Sequence, residues 1–238
     1  MSNANLINNI DCENLSLSEI DLQVKNLIFN KYKTILLKNV PAKENLFRGL
    51  SGNIKLEIIG DTALNFACGV NGIKLVVNGN VGDFSANDAI NAKFTVYGTC
   101  GSQFGNNSKK SEFYILEGCS KNSFHNVSDS SKVVIGGLPG NNFACGNQGA
   151  TFVILNIKGG NIFVDDTWFR QFTHGCIYLR GIKNKIKITT EKYFLSDTDE
   201  NDEDIYLPLI SEYARLFKFS LSELKSKPFF RLEALNKR

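Results

Sequence analysis

Asn65-Phe66-Ala67-Cys68-Gly69 returns unchanged as Asn142-Phe143-Ala144-Cys145-Gly146, 77 positions further along the chain. The stretch between the two copies divides into shorter, fainter versions of the same unit. Glycines close apolar runs at Gly60, Gly79, Gly98, Gly118 and Gly137, with spacings of 19, 19, 20 and 19. A phenylalanine follows each glycine after five or six residues: Phe66, Phe84, Phe104, Phe124 and Phe143. A fixed period near 19 identifies one supersecondary unit stacked on copies of itself.

Each unit has an apolar run, a glycine and a polar turn. The runs Ile54–Ile59, Ile73–Asn78, Lys93–Tyr97, Glu112–Glu117 and Lys132–Ile135 alternate apolar and polar residues, which is the strand period. The segments between them hold Gly, Asn, Ser and Asp rather than helix formers. Two architectures remain, a meander of hairpins and a parallel β-helix with one coil per unit. The β-helix is favoured because it superposes like positions, so the five phenylalanines form one ladder with a step of about 4.8 Å. A tight corner also wants φ > 0 or no side chain, which suits the repeated glycine. Thr151–Asn156, Asn161–Val164, Cys176–Arg180 and Lys185–Thr189 continue the strand pattern, and the irregular coil between residues 156 and 176 carries the only tryptophan, Trp168.

The expected architecture is all-β: a single-stranded right-handed parallel β-helix of ~19-residue coils with short helical caps at both ends. Residues 1–46 read as an N-terminal helix-strand cap, 47–190 as the repeat, and 191–238 as an acidic linker with a C-terminal helical cap. Ser16-Leu17-Ser18-Glu19 is a capping box followed by Ile20, Val24, Leu27 and Ile28 at helical spacing. Asp202–Phe217 reads as a helix with Ile205, Leu209, Tyr213 and Leu216 on one face, and Ser220-Leu221-Ser222-Glu223 as a second capping box.

Composition restricts the function classes. The chain has 238 residues, 42% hydrophobic and 21% charged, with a formal charge of +3. That charge, without a basic block, argues against a nucleic-acid surface. No apolar run approaches the roughly 18 residues of a membrane span. The start of the chain lacks a signal-peptide pattern, so the expected location is cytoplasmic and the six cysteines are expected as thiols.

The ~19-residue coils and the corners Gly79-Asn80-Val81-Gly82-Asp83-Phe84 and Gly137-Leu138-Pro139-Gly140-Asn141-Asn142-Phe143 resemble the GXGXG β-helix family. This family comprises the C-terminal domain of glutamate synthase large subunits, stand-alone glutamate-synthase-like subunits, and the β-helical subunit of formylmethanofuran dehydrogenase. The stretch from Phe172 to Gly181, Phe-Thr-His-Gly-Cys-Ile-Tyr-Leu-Arg-Gly, is similar to the Gly-Met-His-Gly-Gly-x-Ile-Tyr-Ile-Arg-Gly segment that ends the repeat in the stand-alone subunits. The tail Asp204–Phe217 also resembles theirs. The chain departs from the family where Gly-Gly normally precedes each strand: it has Asn71-Gly72, Asn91-Ala92, Lys110-Ser111, Ser130-Ser131 and Gly149-Ala150. The resemblance implies a non-catalytic scaffold that carries no cofactor and holds glutaminase-like and flavin/iron–sulfur synthase-like chains in register. Alternatives are a formylmethanofuran-dehydrogenase-type scaffold or an interaction scaffold detached from either assembly. Homo-oligomerisation stays open.

The residues themselves offer few catalytic candidates. Cysteines 12, 68, 100, 119, 145 and 176 include no Cys-x-x-Cys pair, and on stacked coils Cys68 and Cys145 lie four steps apart, about 19 Å. Cys100 and Cys119 are expected on neighbouring coils, and small buried thiols suit a narrow core. A cysteine nucleophile needs a histidine base, and the chain has only His125 and His174. His174-Gly175-Cys176 places a histidine and a cysteine on one strand face. Asp165-Asp166 is a paired-carboxylate candidate, although sequence neighbours on a strand point to opposite sides. Asp197–Asp204 lacks the glycine and distal glutamate of a calcium loop. The resemblance accounts for His174 and Cys176 as structural positions. An independent enzyme is the remaining reading, and it would need His174 or the Asp165-Asp166 pair in a concave pocket.

Overall fold

Alternating inward and outward side chains, repeated every coil, build a parallel β-helix. The computed structural model describes residues 7–172 and 174–235. The chain begins with β1 (Ile7–Asp11), α1 (Leu17–Phe29) and β2 (Thr34–Lys38). One strand per coil follows: β3 (Lys55–Ile59), β4 (Lys74–Asn78), β5 (Lys93–Val96), β6 (Glu112–Ile115), β7 (Lys132–Ile135) and β8 (Gln148–Ile154). Then come β9 (Ile162–Val164), β10 (His174–Arg180), β11 (Ile186–Ile188), β12 (Tyr193–Asp197), α2 (Glu200–Phe217), α3 (Leu221–Leu224) and β13 (Phe229–Ala234). An eleven-stranded sheet runs in the order β1 to β8, β10, β13, β12. It is parallel as far as β10, and then turns antiparallel.

The register is constant, so side chains stack in columns. Leu56, Leu75, Phe94, Phe113, Val133, Phe152 and Ile177 form one inward column, and Ile58, Val77, Val96, Ile115, Ile135, Ile154 and Leu179 form another. All fourteen are buried. The strand pairing is parallel throughout the repeat, which removes the hairpin meander.

The aromatic ladder differs from the expected one. Phe66, Phe104 and Phe143 point inward at one corner position, but Phe124 enters one residue later and Phe84 faces outward, 37% exposed. Phe84 follows its glycine by five residues rather than six, which puts it at an outward position with φ 58°. Ser85 takes the inward place, is fully buried, and its Oγ accepts the Phe66 N–H at 3.0 Å. Bulk is exchanged between columns instead. Phe94 packs on Phe104 and Phe113, and Phe124 meets Phe104 and Phe143 edge-on at centroid distances of 5.6 and 5.8 Å. Edge-to-face packing places the positive ring edge against a negative face.

The repeated glycines are required chiefly by contact between coils. Gly60 has φ 113°, but at Gly79 an added Cβ would lie 2.5 Å from the Gly60 carbonyl, and at Gly118 2.3 Å from Leu138 O. Just before the strands, serines stitch the coils. Ser111 Oγ accepts from Ala92 N and Ser131 Oγ from Ser111 N, each at 3.1 Å.

The ends close differently. α1 keeps its capping box, with Ser16 and Glu19 exchanging hydrogen bonds, and buries Ile20 and Val24 in the coil interior. At the far end β13 and β12 add two antiparallel strands to the sheet. α2 begins at Glu200, capped by Asp199, and lies along the flank rather than across the axis. Its buried side chains Tyr206, Leu209, Ile210, Tyr213 and Ala214 cover Tyr114, Val134, Val153 and Tyr178 on the outer strand face. Ile205, expected on that face, is 40% exposed, because the apolar stripe starts one residue later at Tyr206. The second capping box does not form: Ser220 makes no side-chain cap bond to its four-residue helix. Buried Arg180 instead ties this segment down, its Nη1 donating to Leu155 O at 3.1 Å and Nη2 to Glu223 O at 3.0 Å.

Candidate functional site

One corner of every coil alternates left-handed and extended residues. In the first pentapeptide Asn65, Ala67 and Gly69 have φ of 57°, 54° and 67°, so Phe66 turns inward and Cys68 faces the neighbouring coils near the surface. Backbone bonds from Gly49 N to Cys68 O, Gly69 N to Asn87 O, Asp88 N to Asn106 O, Asn107 N to His125 O, Asn126 N to Cys145 O and Gly146 N to Arg170 O set the stacking. They place Arg48, Cys68, Asn87, Asn106, His125, Cys145 and Arg170 in one column. The asparagines stitch its middle: Asn106 N donates to Asn87 Oδ1 at 2.9 Å and His125 N to Asn106 Oδ1 at 2.8 Å.

Cys145 therefore has a histidine from the preceding coil on one side and an arginine from the following coil on the other. His125 Nε2 is 2.8 Å from Asn142 O, and Cys145 Sγ donates to Thr167 O at 3.2 Å and to Asn142 O at 3.5 Å. The carbonyl of Asn142 thus anchors imidazole and thiol together. His125, Asn126, Cys145, Gly146, Arg170 and Gln171 line an open cleft of about 450 Å³. Burial pushes the Cys145 thiol up, but the His125 hydrogen bond and charge, with the Arg170 amide and guanidinium, outweigh it. Its pKa lies below the ordinary thiol value. The His125 imidazole is raised, first by its hydrogen bond with Cys145, against the opposing effect of burial. A thiol that shares a carbonyl with an imidazole and lines the same cleft as a guanidinium has the makings of a nucleophile.

The other cysteines are different. Cys100 and Cys119 stack on neighbouring coils, as expected, and burial drives Cys100 well up and Cys119 up to about 12. Cys12 is pushed up by burial to about 11.

His174 is exposed at the start of β10, opposite Gln148. Cys176 is half-buried opposite Thr151, against the layer beneath α2. A register irregularity separates the two pairings, with its extra residue in β8 between Gln148 and Thr151. Asp165 Oδ1 accepts from Thr167 N at 2.8 Å and Thr167 Oγ1 at 2.7 Å, a local turn. Asp166 is exposed and 3.8 Å from Lys192. Among the described residues no group of three His, Cys, Asp or Glu side chains is arranged to hold a metal ion. No described helix is long and apolar enough to cross a membrane.

The His125–Cys145 pair escapes sequence reading because its members are not sequence neighbours. The available signal is their separation of 20 residues, one coil length. Arg170 follows Cys145 by 25, through the irregular coil, so no fixed period finds it. No protein-family model and no curated protein matches this sequence.

Proposed function

We propose that the chain is a β-helix scaffold of a glutamate-synthase-like oxidoreductase, holding glutaminase-like and flavin-bearing synthase-like chains while carrying no cofactor of its own. One observation carries the reading: α2 covers only part of the outer sheet face. Along the register the outward column reads Glu57, Val76, Thr95, Tyr114, Val134, Val153, Tyr178. The apolar end lies under α2, and the polar end, with Lys55, Lys74 and Lys93 stacked beside it, opens into a cleft of about 480 Å³ that reaches Glu212 and Arg215 of α2. A non-obligate protein contact is about as polar as the rest of a protein surface, so a mixed polar face with a few apolar groups is compatible with docking a separately folded chain. The co-linear order of N-terminal helix, coils and C-terminal helix supports the resemblance to the glutamate synthase family.

Affinity purification of the tagged chain from its native cell, with mass spectrometry of the bound proteins, tests this. The expected result is a glutaminase-like chain together with a flavin or iron–sulfur chain, both lost with Lys74→Glu. A monomer that recovers neither sinks the proposal. A molybdenum or tungsten protein instead would favour the formylmethanofuran-dehydrogenase-type scaffold, and an empty pull-down would favour a detached interaction scaffold.

A further inference from the structure

We propose that the cleft between His125 and Arg170 is a thiol-oxidation site, in which Cys145 reacts with hydrogen peroxide. The inference is independent of the scaffold reading. Three features carry it. Cys145 opens into a polar cleft rather than the core. Its column neighbours in the cleft are a histidine and an arginine supplied by two different coils. The same carbonyl, Asn142 O, positions both imidazole and thiol.

The groups facing the thiol are His125 from the preceding coil, Arg170 from the following coil and the Tyr193 hydroxyl from β12, which donates to Phe169 O at 2.9 Å, with Asp166 beyond it. The cations favour thiolate, and thiolate is the form that attacks peroxide. The sulfur attacks one peroxide oxygen. An S–O bond forms and the O–O bond breaks. Sulfur gives up two electrons, which leave on the departing hydroxide. The hydroxide takes the proton of the His125 imidazolium and departs as water, leaving Cys145 as sulfenic acid and His125 neutral. Arg170 stabilises the developing negative oxygen. Cys68 is four coils away along the column, so it is not placed to resolve the sulfenic acid, and reduction falls to an external small thiol.

Cys68 is an internal control, since it occupies the same pentapeptide and both thiols are 7% exposed. The full-length protein is treated with iodoacetamide at pH 6 and pH 9, and labelling of each cysteine is followed by mass spectrometry. Cys145 is expected to react about tenfold faster than Cys68 at pH 6, the two converging at pH 9. His125→Asn, which extends a column that already contains Asn87 and Asn106, is expected to bring Cys145 down to the Cys68 rate at pH 6. Hydrogen peroxide followed by dimedone is expected to leave the adduct on Cys145 and not on Cys68. Equal alkylation of the two wild-type thiols at pH 6 overturns the activated thiol, whether or not the variant folds. Rapid alkylation without a dimedone adduct overturns the hydrogen peroxide assignment.

Discussion

The two Asn-Phe-Ala-Cys-Gly copies share sequence, backbone conformation and thiol exposure, yet their thiols are tuned in opposite directions. Burial raises Cys68, and the Asn87 amide and Arg48 charge do not offset it, with Asp88 adding to the rise. Burial acts on Cys145 too, but His125 and Arg170 outweigh it. In a solenoid the residues that set a side chain's chemistry are one coil away, not one residue away. The outer face repeats the contrast on a larger scale: strands near the second copy lie under α2, while those near the first carry Lys55 and Lys74 beyond it, with Lys93 paired to Glu212 of α2 at the boundary.

The interior offers the strongest test of this asymmetry. Phe66 has one aromatic neighbour, Phe47, at 6.0 Å, whereas Phe143 meets Phe124, Phe152, Trp168 and Phe169. Phe143→Ala is expected to cost about 4–5 kcal/mol and Phe66→Ala about 3 kcal/mol, read from urea unfolding. An equal or reversed order would mean that ring contacts do not distinguish the two corners.

A smaller effect is expected where α2 ends. Glu212 accepts from Lys93 at 2.7 Å and from Arg215 at 2.7 and 2.8 Å. The Arg215 bonds, and then Lys93, outweigh burial and hold the Glu212 carboxyl at about 2. A depressed folded pKa stabilises fully above the unfolded value, and the contribution disappears as pH falls through the folded one. Glu212→Gln is therefore expected to lose about 2 kcal/mol at pH 7, with its deficit shrinking below pH 4.5 and vanishing near pH 2. A deficit independent of pH would show that the side chain acts through packing rather than charge.

At the closing glycines the difference narrows again. Gly69 and Gly146 share a left-handed φ of 67° and 70°, which disfavours any Cβ by about 1–2 kcal/mol. At Gly146 the new carbon would also lie 2.3 Å from Asn126 Oδ1, whereas at Gly69 the nearest atoms are 3.9 Å away. Thermal melts should rank Gly146→Ala below Gly69→Ala, and the opposite ranking would mean that Asn126 moves aside freely.

Much of this fold can be read from the chain because stacking forces like residues into register. Leu56, Leu75, Phe94 and Phe113 announce the strand period directly. Phe84 misleads because one residue more or less after its glycine exchanges inside for outside, and Ser85 gives no apolar signal of the exchange. β13 is hidden because antiparallel pairing with β10 places it outside the repeat. β1, Ile-Asn-Asn-Ile-Asp, is too polar to stand out. The reactive corner needs two facts that spacing alone does not join: that His125 lies one coil below Cys145, and that the longer coil after it returns Arg170 to the same column.

Moving the second environment onto the first copy is the most direct attack on the contrast, and it rests on column equivalence alone. Arg48 occupies below Cys68 the place His125 holds below Cys145, and Asp88 corresponds to Gln171 at the same left-handed position, φ 58° in each. Asn65 stands where Asn142 stands, so an imidazole at position 48 has the same carbonyl to bind. Arg48→His with Asp88→Gln supplies that imidazole and removes the carboxylate that raises Cys68. Lowering a thiol by one pKa unit increases thiolate near neutrality by up to about tenfold, and lower intrinsic nucleophilicity reduces the gain in rate to about threefold. Iodoacetamide labelling of Cys68 at pH 6 is expected to rise by that factor, with Cys145 unchanged as the reference. If Cys68 stays slow, the following arginine rather than the preceding histidine governs the thiol. Arg170→Gln must then slow Cys145 more than His125→Asn does.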